Sequence, residues 1–357
     1  MTRFEAAPPA ADQLLFLSRV QRLLDSGRFS ATYKFALFLA IAELAVERGN
    51  DSGGRLRIPL EAIAERFLAL YWRQAGPYPA AKSNTVLRQN SGKKAEVVTR
   101  IAKAHATLGL SLGEARNRPE WRKLVRHAKR IIVKMPLLKL QTIGSARKAT
   151  RAECFLYLNA VSGDEIELLP GVAFCLRRFF PLLQGMVRSK WLSWVQGQNT
   201  DVLAAVQDLE SFMFGANRTE TRGIRKVLFE IQGGQCFYKP RVRLDIKTAH
   251  IDHFIPWAKY PCDAASNFVL ASPKANAGKK DHLPAVEYLQ RWCERNATYS
   301  DQLTATARAV GIEAGTGVVQ RVAAWAYTNH EGIGGPVWHA THGLVELDPC
   351  WRRILCA

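Results

Sequence analysis

The sequence predicts an α+β protein that is mostly helical, and three observations carry that reading. Apolar residues recur at helical spacing along most of both ends of the 357-residue chain. Short runs of strand character interrupt the helices near residues 154–168 and again between Cys236 and Leu270. Hydrophobic residues make up 48% and charged residues 23%, a balance that sustains a substantial core rather than a disordered chain.

Residues 1–12 are rich in Ala and Pro and are expected to be loose. Helical spacing follows over Leu14–Leu24 and Thr32–Arg48, the second with Ser30 as its N-cap and Gly49-Asn50 as its stop. Gly53-Gly54 reads as a turn and Leu56–Pro59 as an extended piece leading into a third helix, Leu60–Trp72. Further helices are expected at Ala95–Leu108 and Pro119–Lys134, where Pro119 and Glu120 suit a first turn. Residues 154–168 alternate around Ser162-Gly163-Asp164 and predict a β-hairpin. A long helix over Val172–Val195 comes next, its stripe of Phe174, Phe179, Phe180, Trp191 and Trp194 read as core. A helix over Arg218–Ile231, a Gly233-Gly234 turn and a strand from Cys236 lead into the most informative stretch. Helices at Ala285–Asn296, Asp301–Val310 and Val318–Tyr327 follow it, with a hairpin-like end after Trp338.

The formal charge is +19. Such an excess favours polyanions through counterion release, nucleic acid first among them, although a ribosome-associated or membrane-surface protein would carry the same number. The imbalance concentrates between Lys82 and Arg151, where eighteen Lys and Arg face three Glu (Glu96, Glu114 and Glu120). Arg122, Lys123, Arg126, Lys129 and Arg130 form a cationic surface on one predicted helix. A single helix face of this kind is often merely solvated, but the imbalance over seventy residues points to nucleic acid or to an acidic protein partner. Seven cysteines without a Cys-x-x-Cys pair read as reduced thiols of a cytoplasmic protein. The first residues lack the apolar core of a secretory signal. The longest apolar run, Phe35–Val46, contains Glu43 and is too short to span a bilayer, so no membrane association is expected.

Residues 250–284, HIDHFIPWAKYPCDAASNFVLASPKANAGKKDHLP, gather a carboxylate, an imidazole, two carboxamides and an amine. Asp252-His253 closes one short strand, Asn267 opens another at Phe268, and Asn276 begins a helix with Lys279 one turn on. Hydrolysing a phosphodiester needs an activated water and neutralisation of the charge growing on the phosphoryl and leaving oxygens. An imidazole titrates near neutrality, which makes His253 the candidate general base. A hard divalent ion prefers oxygen, so Asp252 and Asn276 are the candidate metal ligands. Asn267 would hold the loop or orient His253, and Lys279 would contact a phosphate. Strict strand alternation sets Asp252 and His253 on opposite faces, so a shared site needs the strand to bend, and Pro256 favours an early strand end. His250 shares the parity of Asp252 and reads as a ligand or a supporting side chain.

In the ordered set Gly-Gly-Gln-Cys-Phe-Tyr, Asp252-His253 with Pro256, Asn267, and Asn276-x-x-Lys279, the chain resembles the HNH endonucleases of the ββα-metal group. The closest flavour is the D-H…N…N-x-x-K type of RNA-guided CRISPR nucleases and of stand-alone bacterial HNH proteins. The resemblance covers about Gly233–Pro284. It implies a ββα-metal module set between a basic helical N-terminal region and a helical C-terminal region. It also implies one Mg²⁺ or Mn²⁺, with Asp252, His253, Asn267 and Asn276 converging on it, and with Arg222, Arg225 and Lys226 on a preceding helix that meets nucleic acid. The implied organisation is a basic region binding nucleic acid or a partner (1–150), a connector (151–217), the nuclease module (218–285) and a C-terminal helical region (286–357). Many relatives carry a four-ligand zinc clip. Here Cys236 remains while Lys239, Ser272 and Ala275 stand at the other positions, so no structural zinc is expected. The resemblance thus implies an endonuclease that nicks or cuts single- or double-stranded DNA, in defence against foreign DNA or in a mobile element, alone or with a protein from the same operon. Two other readings stand beside it: a regulatory nucleic-acid-binding subunit that keeps the HNH fold as a scaffold, and a toxin nuclease held by an immunity protein.

Overall fold

A computed structural model describes residues 6–26, 31–81, 84–92, 95–109, 111–142, 153–159, 163–203, 208–215 and 223–355. The protein is α+β and mostly helical, and its strands pair two by two. The chain divides into two units, one made of residues 1–110 and 118–215, the other of residues 111–117 and 216–357. No helix among the described residues is long and apolar enough to cross a membrane.

The first unit begins with α1 (Ala10–Ser26) and α2 (Tyr33–Arg48). In α2 apolar residues surround the axis, and a helix without a polar face must be enclosed. Its two carboxylates, Glu43 and Glu47, are buried and paired with Arg66 on α3 (Leu60–Trp72). The extended piece ahead of α3 is β1 (Leu56–Pro59), in line with the sequence reading. After α4 (Glu96–Leu108), α5 (Leu112–Arg116) is counted with the second unit, and α6 (Pro119–Lys134) returns to the first. Pro119 sits at the start of α6, where its missing N–H costs nothing. Trp121, Val125, Ala128 and Ile132 are buried at helical spacing on one face of α6, and the other face is cationic. Like charges four residues apart, as in Arg126–Arg130 and Arg130–Lys134, each weaken a helix by about 0.2–0.5 kcal/mol. A short α7 (Pro136–Lys139) follows.

Among the described residues, the predicted hairpin at 154–168 is reduced to one antiparallel bridge and a backbone hydrogen bond between its arms. Its second half is β2 (Glu165–Leu168), which pairs antiparallel with β1 in the register Leu56↔Leu168 to Pro59↔Glu165; Tyr157 adds a single bridge to Leu168. The predicted helix over Val172–Val195 is broken into α8 (Val172–Arg178) and α9 (Phe180–Gln198). Pro181 is the reason, because its ring would meet the carbonyl of Arg177 and it has no N–H to donate. Phe180 and Trp191 of the aromatic stripe are fully buried; Phe174, Phe179 and Trp194 are partly so. A short α10 (Leu209–Phe214), absent from the sequence reading, ends the unit. Ser30, the expected cap of α2, lies outside the described residues.

A buried polar chain ties the centre of this unit together. The Gln89 amide oxygen accepts from Trp191 Nε1 at 3.0 Å and from Thr32 Oγ1 at 2.8 Å, and its nitrogen donates to Gln74 Oε1 at 2.9 Å. Gln74, Gln89 and Thr32 are all buried, so every partner removed leaves a group that water does not reach.

In the second unit α11 (Arg225–Ile231) ends in a turn where Gly233 and Gly234 take φ of 59° and 68°, a conformation that favours glycine. β3 (Gln235–Cys236) and β4 (Lys239–Arg243) form a hairpin. β5 (His250–His253) then pairs antiparallel with β6 (Phe268–Ala271), and α12 (Pro273–Lys279) leaves β6 directly, with Ser272 Oγ accepting from the Ala275 N–H. This is a ββα arrangement. Behind it lie α13 (Val286–Thr298), α14 (Ser300–Val310) and α15 (Thr316–Glu331). A hairpin of β7 (Val337–His339) and β8 (Gly343–Val345) and a terminal α16 (Trp351–Leu355) complete the unit. The detached α5 packs on α14: Asn117 donates to the Arg308 carbonyl at 3.3 Å, and Arg116 pairs with Glu313. Gly113 is obligatory there, since a Cβ would lie 1.2 Å from the Gly311 carbonyl oxygen.

Replacing Gln89 with Met strands the Trp191 indole N–H and the Gln74 side-chain amide oxygen. Each stranded group costs about 1–3 kcal/mol. A lowered urea midpoint for the first unit is the expected outcome, and an unchanged midpoint would contradict the role given to this chain of bonds.

Candidate active site

The sequence-predicted residues sit on β5, just before β6 and on α12, and Lys279 reaches from α12 to Asp252 and His253 of β5. Asp252 is almost wholly buried, and its carboxylate accepts from Tyr238 OH at 2.7 Å. The Lys279 ammonium lies 3.1 Å and 3.3 Å from its two oxygens and also donates to the His253 carbonyl at 2.8 Å. Burial, and then the nearby Asp252 charge, raises the Tyr238 pKa well above that of an ordinary phenol, which keeps Tyr238 a donor. Lys279 was expected to face a phosphate. It is instead fully enclosed, because the turn of α12 that carries it faces β5, and a buried ammonium needs a carboxylate within reach.

His253 takes the other side of β5. Its Nε2 lies 2.7 Å from Asp263 Oδ1 in the loop after the strand, and its ring packs edge-on against Phe268 and near Trp257. Asp263 had no role in the sequence reading, and neither had Tyr238. Asn267 is buried beneath the same loop. Its amide oxygen accepts from the Ile255 N–H at 2.8 Å, and its nitrogen donates to the carbonyls of Ile255 and Cys262. It therefore pins the loop that carries Asp263. From behind, the Ser266 carbonyl accepts from Trp292, Arg295 and Asn296 of α13, and Trp292 stacks on Phe254 at 4.7 Å.

Asn276 is half-buried on the first turns of α12, and its nitrogen donates to His250 Nδ1 at 3.2 Å, so His250 supports the carboxamide. Asp252, His253, Asn267 and Asn276 do not hydrogen-bond to one another through their side chains; Lys279 links the first two by touching the Asp252 carboxylate and the His253 carbonyl. Alternation along β5 thus persists to its last residue. At the place of the zinc clip, the Ser272 N–H donates to Cys236 Sγ at 3.3 Å, and Phe237, Phe254, Ile255, Phe268 and Val269 are buried around it.

The donor set for a divalent cation is two hard oxygen groups. Two hydrogen bonds and one ion-pair contact fall on the Asp252 carboxylate, which has roughly four lone-pair sites, and the Asn276 amide oxygen carries no hydrogen bond among the described residues. No group of three or more His, Cys, Asp or Glu among the described residues is arranged to hold a metal. Two hard oxygen groups of this kind suit a divalent cation that keeps most of its waters.

The cationic residues divide. Lys123, Arg126, Lys129 and Arg130 of α6 line a cavity in the first unit, whereas Arg122 is exposed beside it. Arg225, expected on a nucleic-acid face, is half-buried and donates to the carbonyls of Ile246 and Ala249, bracing the entry to β5. Lys226 is exposed, and Arg222 lies outside the described residues.

Residues 241–285 match the HNH endonuclease family, so the ββα arrangement of β5, β6 and α12 is an HNH-type module. No curated protein and no solved structure matches the chain. Residues 14–201, more than half of the chain, match a family described as a domain of unknown function, DUF8808. The protein belongs to that family and joins its domain to an HNH module.

Proposed function

We propose that the protein is a metal-dependent endonuclease that hydrolyses DNA phosphodiester bonds at His253. The observation that carries this reading is the His253–Asp263 pair at 2.7 Å, within a segment that matches the HNH endonucleases. A carboxylate only accepts hydrogen bonds, so Nε2 bears the proton and Nδ1 keeps its lone pair. Nδ1 then takes a proton from water as the new P–O bond forms and the bond to the departing sugar oxygen breaks. Asp263 holds the ring in that tautomer and steadies the imidazolium that results. Asn267 fixes the loop on which Asp263 rides. Asp252 and Asn276 would hold Mg²⁺ or Mn²⁺, which when bound supplies neutralisation of charge on the phosphoryl and leaving oxygens.

One observation favours a second reading, in which the module is a scaffold for nucleic-acid binding. The Lys279 ammonium already neutralises Asp252 in a buried pair, which a cation would have to share.

Supercoiled plasmid incubated with the protein and Mg²⁺ is expected to be nicked or linearised. His253→Ala should lower the rate by about 10²–10⁴-fold with the circular dichroism spectrum unchanged. Intact plasmid across Mg²⁺, Mn²⁺ and Ca²⁺ would sink the nuclease reading. For Asp263→Asn, kcat should fall by about 10²-fold while KM stays within about twofold, and Asp263→Glu should recover part of the loss; a rise in KM alone would remove Asp263 from the mechanism. Saturating Mg²⁺ should raise the thermal midpoint of the wild type, with stabilisation of about 2.7 kcal/mol at a hundred times Kd, and leave that of Asn276→Ala unmoved. A midpoint indifferent to Mg²⁺ in both proteins would favour the scaffold.

A further inference from the structure

Outside the HNH module, the first unit holds a cavity of about 780 Å³ whose charged lining is almost entirely cationic. Lys123, Arg126, Lys129, Arg130 and Lys134, all from α6, supply five positive charges, and Asp164 is the one carboxylate among the described lining residues. We propose that this cavity is a docking site for the phosphate backbone of a nucleic-acid duplex.

Four features argue for it. Lys123, Arg126, Arg130 and Lys134 recur at intervals of three and four residues, so they form one line along the helix, about 16 Å from end to end at 1.5 Å per residue. A single phosphate needs far less; a row of charges suits a polymer with charges in a row. None of these four makes an ion pair with a carboxylate of the described residues, so the mutual repulsion along α6 has no remedy within the chain that the structure describes. The opposite wall is held in place: the Leu60 N–H donates to the Asp164 carbonyl at 2.8 Å, and the Asp164 carboxylate meets Lys129 at 2.7 Å. Gly163 sits on that wall with φ of 68° and open space where a Cβ would be, which leaves the backbone there accessible.

The lining also says what is read. No aromatic side chain is among the described residues that line the cavity, so these offer no platform on which unpaired bases could stack. Arginine and lysine that meet phosphates set position without reading bases, and the binding is therefore indifferent to sequence. A protein partner would want a central apolar or aromatic anchor pocket, whereas the apolar side chains among the described lining residues are only Leu60, itself buried, and the half-buried Val133. The site is independent of hydrolysis at His253, and it can be assayed with hydrolysis switched off.

The test uses the full chain carrying His253→Ala, in EDTA, with fluorescently labelled 30-base-pair DNA and RNA duplexes, the matching single strand, and a poly-glutamate peptide. Arg126→Gln combined with Arg130→Gln is expected to weaken binding of a duplex by about tenfold and to reduce the salt slope of log K by about 2. The DNA and RNA arms decide which backbone is preferred. The comparison variant Arg55→Gln with Arg57→Gln removes the same charge from exposed arginines already paired with Glu165 and Glu167, and should leave affinity within twofold. Equal losses in the two variants would reduce the effect to net charge and overturn the site. Unchanged duplex binding with loss of poly-glutamate binding would also overturn it and assign the cavity to an acidic protein. Arg126 and Arg130 are exposed, so both variants should melt as the parent does.

Discussion

The geometry of the HNH module rests on one buried contact among Asp252, Lys279 and Tyr238. Lys279 comes from α12 and Asp252 from β5, and Tyr238 follows the first strand of the preceding hairpin, so three pieces of chain meet on a single carboxylate. The ammonium also takes the His253 carbonyl, which fixes the backbone at the point where β5 ends and the loop begins. A buried charge tolerates little displacement of its partner. The direction in which the His253 side chain leaves the strand is therefore set by a pair that lies on the opposite face. The orientation of His253 and the pairing at Asp252 are mechanically joined although their side chains do not touch.

Much of this was legible in the amino acids, and the failures have physical causes. The limits of α6 and α3 follow from local signals: Pro119 at a first turn, Pro59 ending an extended piece, and apolar residues at regular intervals. The module itself is readable because its motif residues fall in order within thirty-five positions. The 154–168 hairpin is only partly foreseen because alternation reveals a strand and not its main partner; β2 pairs along its length with β1, more than a hundred residues away in the chain. β4 has no apolar alternation at all, since every residue from Pro240 to Arg243 is exposed.

Within the site, spacing gave the helix face of Lys279 but not its depth. Three residues from Asn276 it shares a side of α12, yet one residue is half-buried at the edge and the other lies beneath β5. Asp263 escaped notice because it sits in an irregular loop ten residues after His253, where no period links the two. Arg225 looked like part of a cationic surface, since composition does not tell a guanidinium that braces carbonyls from one that meets solvent.

The seven residues from Ser111 to Asn117 have a consequence for how the molecule can be divided. They belong with the second unit, although the chain on both sides of them belongs with the first, so the polypeptide passes between the units three times. A fragment starting at Ala216 would contain every motif residue of the HNH module and still lack the short helix that covers Gly311 and holds Glu313. Severing the chain between the two long stretches would leave the unit that holds the HNH module with α14 uncovered where α5 packs.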